Sequence, residues 1–230
     1  MQAKKHYWLW ALAVIAVCYL LLAYVVAPHA WKRVTSIHPS VHDVPNVTLG
    51  ADGLPGDPVN LTIHGDEATL RAAMAEAGWT VADPLGLRDD ARIVLDTLAH
   101  RGYSSAPVSK LYLFGRIEDI AFEMPIGADP SRRHHVRFWR SGASEPFRWL
   151  GAATLDKSVG LAHTTGQITH HIGADVDKER DHVLASLDDS GRVLRRWYVA
   201  DFHKERNGKN AGGDLWRTDG RLGAARLRPD

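Results

Sequence analysis

Cysteine is almost absent from this chain of 230 residues, and the single cysteine, Cys18, lies inside a long apolar stretch. The remaining residues therefore offer no internal disulfide, no thiolate ligand for a metal ion and no cysteine nucleophile. The signatures of phosphate-binding loops, serine-hydrolase elbows, HExxH metalloproteases and dinucleotide-binding turns are also missing. These absences exclude the enzyme classes that a local motif would identify and leave open whether the protein is an enzyme.

The chain also lacks an excess of either positive or negative charge, because its formal net charge at pH 7 is only +1. A protein that binds nucleic acid through its overall field carries a large positive excess. We therefore expect no nucleic-acid partner.

A long hydrophobic run is present at residues 8–27, which contain no charged side chain. Twenty helical residues are about 30 Å long, which matches the hydrocarbon thickness of a bilayer. The sequence predicts one transmembrane anchor here, after a short basic N-terminus at residues 1–7. A cleaved signal peptide is less favoured because Pro28 follows the candidate cleavage site, and a lipoprotein signal is less favoured because bulky Val17 precedes Cys18.

The orientation of this anchor depends on the basic residues beside it. Lys4 and Lys5 precede the apolar run, whereas Lys32 and Arg33 follow it. The N-terminal amine tips this balance toward a cytoplasmic N-terminus. We expect a single-pass protein of the bacterial inner membrane with a periplasmic domain, and as partners the bilayer, through residues 8–27, and an envelope or secretion protein.

The rest of the chain predicts one folded domain of the α+β class. We assign residues 28–58 to a Pro/Gly-rich linker, 59–203 to the globular domain and 204–230 to a polar C-terminal extension. Capping residues and apolar spacing predict about three helices, at residues 67–77, 89–100 and 175–187. Short strand-like runs predict a mixed or mainly antiparallel sheet, with strands at 59–63, 79–82, 108–114, 117–123, 134–139, 147–153, 158–162 and 193–200.

Histidine is unevenly distributed, since five of the thirteen histidines lie between positions 134 and 171. Residues 132–139 alternate as a strand does, which places His135 on one face with Arg133 and Arg137. Because guanidinium groups suit phosphate and carboxylate oxygens, Arg133 and Arg137 are candidates for binding an anion. The alternative is a solvated sheet face next to a partly buried, hydrogen-bonded histidine.

Histidine and carboxylate side chains are also suitable ligands for Zn, Mn or Fe. The candidate ligands of such a divalent metal are His135, His170, His171, Asp175 and Asp177. The alternative for the two acids is structural, because Asp175 is placed to cap a helix and Asp177 lies in its first turn. A threonine activated by His163, either Thr164 or Thr165, is a further arrangement that these residues allow.

Five segments together resemble the LssY C-terminal domain, a bacterial family named after a component assigned to type I secretion. The segments are YSSAPVSKLYLFGR (103–116), DIAFE (119–123), RRHHVRFWR (132–140), WLGAATLDKSVG (149–160) and THHIGADVDKERD (169–181). In larger relatives this domain is joined to membrane modules, some similar to phosphatidic-acid phosphatases. The resemblance implies work at a membrane surface and supplies no reaction.

Two functions are consistent with these features. The first is a membrane-anchored envelope protein with a binding or accessory role in secretion or lipid biology. The alternative is a membrane-anchored, metal-dependent hydrolase of phosphoesters. The hydrolase requires His134 or His135 to meet His170 or His171 and a carboxylate, so the placement of these pairs discriminates between the two.

Overall fold

The computed structural model describes residues 3–27, 29–30, 46–50, 53–82, 111–127, 132–141, 148–164 and 168–229. Within these ranges strands outnumber helices, as the α+β prediction requires. The helices are α1 (Ala3–Leu21), α2 (Glu67–Glu76) and α3 (Val176–Asp189). The strands are β1 (Val47–Gly50), β2 (Pro55–Pro58), β3 (Leu61–His64), β4 (Thr80–Val81), β5 (Leu111–Leu113), β6 (Arg116–Ile117), β7 (Ile120–Pro125), β8 (Arg133–Arg140), β9 (Arg148–Leu161), β10 (Ile168–Ile172), β11 (Val193–Val199), β12 (Asn207–Lys209), β13 (Leu215–Arg217) and β14 (Leu222–Leu227).

The N-terminal residues form α1, which continues through a π-helical turn at Leu22–Val26. Across the part of the chain that the structure describes, we find no helix with both the length and the apolar character needed to cross a membrane. The anchor at residues 8–27 stays a prediction.

The main sheet has the strand order β11-β14-β3-β9-β8-β7-β4, and β10 pairs with the long strand β9. Every neighbouring pair is antiparallel except β14 and β3, which run parallel. The predicted mixed, mainly antiparallel sheet is therefore confirmed. The strands predicted at 147–153 and 158–162 are one continuous strand, β9.

One face of the main sheet carries α2 and α3. Asp66 caps α2 by accepting a hydrogen bond from the Thr69 backbone N–H at 2.7 Å. Gly78, with a φ of +85°, follows the end of that helix. Apolar side chains from both helices and from the alternate positions of the strands form the larger core, which includes Leu61, Ile63, Leu70, Met74, Phe122, Val136, Phe138, Val183, Leu184 and Leu187. The predicted helices at 67–77 and 175–187 are present, and the helix predicted at 89–100 lies outside the described residues.

The opposite face of the main sheet is covered in part by a small sheet of order β2-β1-β5-β6. A second apolar cluster joins the two sheets and consists of Val59, Leu111, Leu113, Trp139, Ala152 and Leu222. The hairpin of β12 and β13 follows along the chain. Alternate residues of β8 and β9 that point to this face are therefore enclosed between layers.

Two segments predicted to lie outside the globular domain contain strands of the sheets. Strands β1 and β2 lie within residues 28–58, which we expected to be a linker. Strand β14 lies within residues 204–230, which we expected to be an extension, and it occupies the main sheet between β11 and β3. The small residues of β14 carry little strand propensity, so its conformation depends on pairing with β3, far away in the sequence.

Candidate functional site

Strand β8 presents polar side chains to the face opposite the helices. Arg133, His135 and Arg137 alternate along it with Val136 and Phe138 of the larger core. All three polar side chains are buried. The register places them beside buried polar residues of β7 and β9, and the resulting inner polar face consists of Glu123, Arg133, His135, Arg137, Thr154 and Asp156.

The two arginines of the inner polar face already bind carboxylates of the chain. Arg133 donates from Nη1 to Glu123 Oε2 at 2.6 Å and from Nε to Asp156 Oδ2 at 3.0 Å. Arg137 donates from Nη1 to Asp57 Oδ2 at 3.0 Å. An external anion would have to compete with these buried carboxylates, so the geometry gives no support to the anion role expected of Arg133 and Arg137. The face is also enclosed, which differs from the solvated face of the alternative.

His135 lies at the centre of this face and is almost wholly buried. Neither of its ring nitrogens has a hydrogen-bond partner among the described residues, and the Thr154 hydroxyl on the neighbouring strand has none either. Burial, the guanidinium groups of Arg137 and Arg133, and His170 together lower the pKa of His135 well below 6.5. Burial likewise lowers the pKa of His170. Both imidazoles are therefore neutral at pH 7.

These depressed pKa values predict that acid destabilises the domain. As pH falls below about 6.5, the unfolded chain binds protons at its histidines before the buried imidazoles of the folded chain do. The free energy of unfolding should therefore fall, by up to about 1.4 kcal/mol per pH unit for each such histidine. Urea unfolding of the full chain at several pH values, with a chelator present so that metal release does not contribute, measures this slope.

The matched comparison is His135→Leu, which removes one titrating group and should flatten the slope below pH 6.5. Burial raises the pKa of Asp57, and this carboxyl acts in the opposite sense over its own range. The difference between parent and variant is therefore the quantity to test. Equal slopes in the two proteins would show that His135 protonates alike in both states.

A separate cluster lies where β9, β10 and the loop before β13 meet. His163, His171 and Asp214 each offer one ligand atom, and these three atoms lie within 4.8 Å of one another. His171 Nδ1 is 2.9 Å from Asp214 Oδ1, and His163 Nδ1 is 3.9 Å from the same oxygen. We call this cluster the triad. His163 is largely exposed, whereas His171 and Asp214 are mostly covered.

Backbone hydrogen bonds hold the triad in place. The Ile172 N–H donates to Asp214 Oδ2 at 3.2 Å, which leaves Oδ1 facing the two histidines. The His163 N–H donates to the Gly212 carbonyl at 2.8 Å. Gly213 has a φ of +86°, and a Cβ there would lie 2.7 Å from His163 Cβ. Only glycine therefore allows the loop to approach His163 this closely.

Asn210 joins the triad to the inner polar face. Its Oδ1 accepts from the Asp214 backbone N–H at 3.0 Å, and its Nδ2 donates to Asp57 Oδ1 at 3.4 Å. Asp57 in turn pairs with Arg137. One chain of polar contacts thus runs from the buried sheet face to the more exposed triad.

The other predicted metal ligands have different partners. Asp175 caps α3 by accepting from the Lys178 N–H and pairs with Arg217 at 3.2 Å. Asp177 pairs with Arg180 at 3.0 Å. His170 Nε2 lies 3.4 Å from the guanidinium of Arg133, whose positive charge disfavours a metal ion there. Among the described residues, the structure places His171 alone of the five candidates in a cluster of three ligand atoms.

Two further candidates, His134 and Thr164, also have partners within the chain. His134 Nδ1 lies 2.7 Å from Glu179 Oε2, and its ring stacks on His182 on the helical side of the sheet. The Thr164 hydroxyl donates to the Ala211 carbonyl, so it is engaged in fixing the loop. Thr165 lies outside the described residues. The sequence analysis did not predict the pairing of β9 with β10, and this pairing brings His163 beside His171.

Two imidazoles and one carboxylate form a ligand set that Zn, Mn and Fe accept. Three protein ligands leave coordination positions for water or substrate, as catalytic metal sites do. The exposed position of His163 leaves the triad accessible from solvent.

With this fold and site described, the chain can be compared with known proteins. The family described as LssY C-terminus matches residues 41–222. The chain belongs to this family, and the resemblance seen in the sequence is confirmed. No curated protein and no solved structure matches the chain.

Proposed function

We propose that this protein is a membrane-anchored bacterial envelope protein whose domain binds one divalent metal ion at His163, His171 and Asp214. The observation that carries the proposal is the convergence of three ligand atoms within 4.8 Å. Residues of this kind at this spacing need a cation or a proton between them to offset the proximity of their lone pairs. The binding role leads because the chain carries no established catalytic signature.

The metal content of the full chain tests this proposal. We expect the protein, purified in detergent and exposed to zinc or manganese, to retain about one ion per chain after desalting, because three convergent ligands bind far more tightly than one. The variant His163→Ala/His171→Ala should retain none. Elemental mass spectrometry gives the ratio of metal to protein.

The control is Asp189→Asn, which changes an exposed carboxylate at the end of α3 and should leave the ratio unchanged. Equal metal content in the parent and the double-histidine variant would overturn the proposal. Circular dichroism of each variant separates loss of the metal from loss of the fold.

A second candidate function is metal-dependent hydrolysis of a phosphoester, which the open coordination of the triad favours. A bound metal would supply a Lewis acid and lower the pKa of a coordinated water. Asp214 and the histidines would orient it, and the hydrogen bond from Ile172 would hold the carboxylate. Release of nitrophenolate from bis(4-nitrophenyl) phosphate by the loaded full chain, abolished in Asp214→Asn, would support hydrolysis; no release would leave the binding role alone.

Membrane anchorage is supported by the composition and exposure of the N-terminal helix. Residues 8–27 carry no charge, and large apolar side chains such as Trp10, Ile15 and Leu22 are exposed. Exposure of so many apolar side chains is costly in water and favourable in lipid. The full chain should stay in the membrane pellet after alkaline carbonate extraction, and its release into the supernatant would exclude anchorage.

A further inference from the structure

A row of basic side chains crosses four neighbouring strands of the main sheet. Arg195 of β11 is paired with Arg226 of β14, Arg226 with His64 of β3, and His64 with Arg148 of β9. Paired residues of neighbouring strands point to the same face. Strands lie about 4.8 Å apart, so the row is roughly 14 Å long. We call these four residues the basic row.

Two arginines of the basic row have no acidic partner in the described part of the chain. Arg195 and Arg226 are exposed, and within the described residues neither forms an ion pair. Arg148 donates from Nε to the Ser141 hydroxyl at 3.3 Å. Like charges directly opposite each other on paired strands destabilise a sheet. A bound anion would offset the repulsion between Arg195 and Arg226.

The arginine next along β11 shows the contrast. Arg196 points to the helical face, where it pairs with Asp188 of α3 at 2.6 Å. Arg192, just before the strand, pairs with Glu76 of α2. Arg192 and Arg196 on the helical side are thus matched by acids, whereas the described ranges contain no acid paired with Arg195 or Arg226 on the other face.

An aromatic side chain adjoins the basic row. Trp197 lies on the same face as Arg195, two residues along β11, and the guanidinium of Arg195 is 5.4 Å from the centre of its ring. The rings of Trp197 and His64 are also 5.4 Å apart. Tryptophan beside basic residues is the composition that proteins use at the boundary between lipid and water.

We propose that the basic row binds anionic lipid head groups of the membrane that holds the N-terminal helix. This inference rests on the proposed membrane anchorage, because an anchor in the same chain keeps the domain at a high effective concentration near the head groups. The near-neutral charge of the whole chain gives no long-range attraction to nucleic acid. A short row of basic side chains with a flanking tryptophan matches a surface rich in phosphate groups.

Arginine footprinting of the full chain in lipid nanodiscs tests this proposal. The discs contain either phosphatidylcholine alone or phosphatidylcholine mixed with phosphatidylglycerol. We expect a dicarbonyl reagent to modify Arg195 and Arg226 at least about threefold more slowly in the anionic discs. High salt should remove this protection, because exposed charges are screened. Mass spectrometry of peptides reads each site separately.

Arg217, which is exposed and pairs with Asp175, is the internal control and should react alike in both discs. Equal rates at Arg195 and Arg226 in the two discs, with the chain incorporated, would overturn the proposal and leave the anchor intact. Failure of the chain to enter either disc would instead remove the anchorage on which the proposal rests. Protection by an added oligonucleotide in neutral discs, without protection by phosphatidylglycerol, would also overturn it.

Discussion

Replacing Arg133 by alanine should lower the free energy of unfolding by about 3–5 kcal/mol, the usual cost of removing one partner from a buried ion pair. Arg133 is 2% exposed and is held between Glu123 and Asp156, whose side chains are buried as well. Without the guanidinium, two buried carboxylates lose the counter-charge that Arg133 provides. Urea unfolding of the full chain, followed by tryptophan fluorescence, measures the loss.

The additional change Glu123→Gln should recover part of this loss, because an amide carries no charge to desolvate. Arg71→Ala is the matched control: it breaks an exposed pair with Glu67 and should cost less than about 1 kcal/mol. A loss at Arg133 no larger than the loss at Arg71 would mean that water reaches the inner polar face, and our description of it would be wrong.

Replacing Asp214 by asparagine should weaken zinc binding by about 100-fold or more, because the amide removes the one negative charge of the triad. The backbone N–H of Ile172 still finds an acceptor in the amide oxygen, so the loop keeps its hydrogen bond. The affinity therefore falls while the fold is retained. Competition with a coloured chelator measures both proteins on one scale.

The comparison variant is Asp175→Asn, which tests the carboxylate that the sequence favoured. It caps α3 and pairs with Arg217, so its replacement should change zinc affinity little. Greater loss of zinc affinity in Asp175→Asn than in Asp214→Asn would support the ligands predicted from the sequence and exclude the triad.

Local signals in the sequence predicted much of the fold. Asp175 was placed as a helix cap because a capping side chain and the apolar spacing after it lie within a few residues. The alternation of β8 likewise placed Arg133, His135 and Arg137 on one face. These features depend on neighbours in the chain, and sequence reasoning finds them.

The features that the sequence did not predict concern partners that are distant along the chain. The face of β8 was predicted to bind an external anion. Its arginines are instead neutralised by carboxylates from other strands, namely Asp57, Glu123 and Asp156. Strand β14 was missed because its small residues carry little strand propensity and one of its two partners, β3, is far away in the sequence. Asp214 was missed because only the fold of the loop before β13 brings it to His171. In each case the contact depends on tertiary pairing, which a local sequence pattern does not reveal.

The acids near the histidines were candidates for two roles, metal ligand and helix cap or first-turn acid, and tertiary structure decides between them. Asp175 and Asp177 follow His170 and His171 closely in the sequence, which favoured them as ligands. A helix N-terminus and Arg180 satisfy them instead. Proximity in sequence thus pointed to the histidine strand, whereas the carboxylate beside His171 comes from a distant part of the chain.

X-ray absorption spectroscopy of the zinc-loaded full chain tests the central claim most directly. The account predicts only nitrogen and oxygen ligands at about 2.0–2.1 Å, with the outer-shell scattering of two imidazoles. In His171→Ala, protein that still holds zinc should show one imidazole. A parent spectrum with no imidazole scattering, or one that His171→Ala leaves unchanged, would contradict a metal site formed by His163, His171 and Asp214.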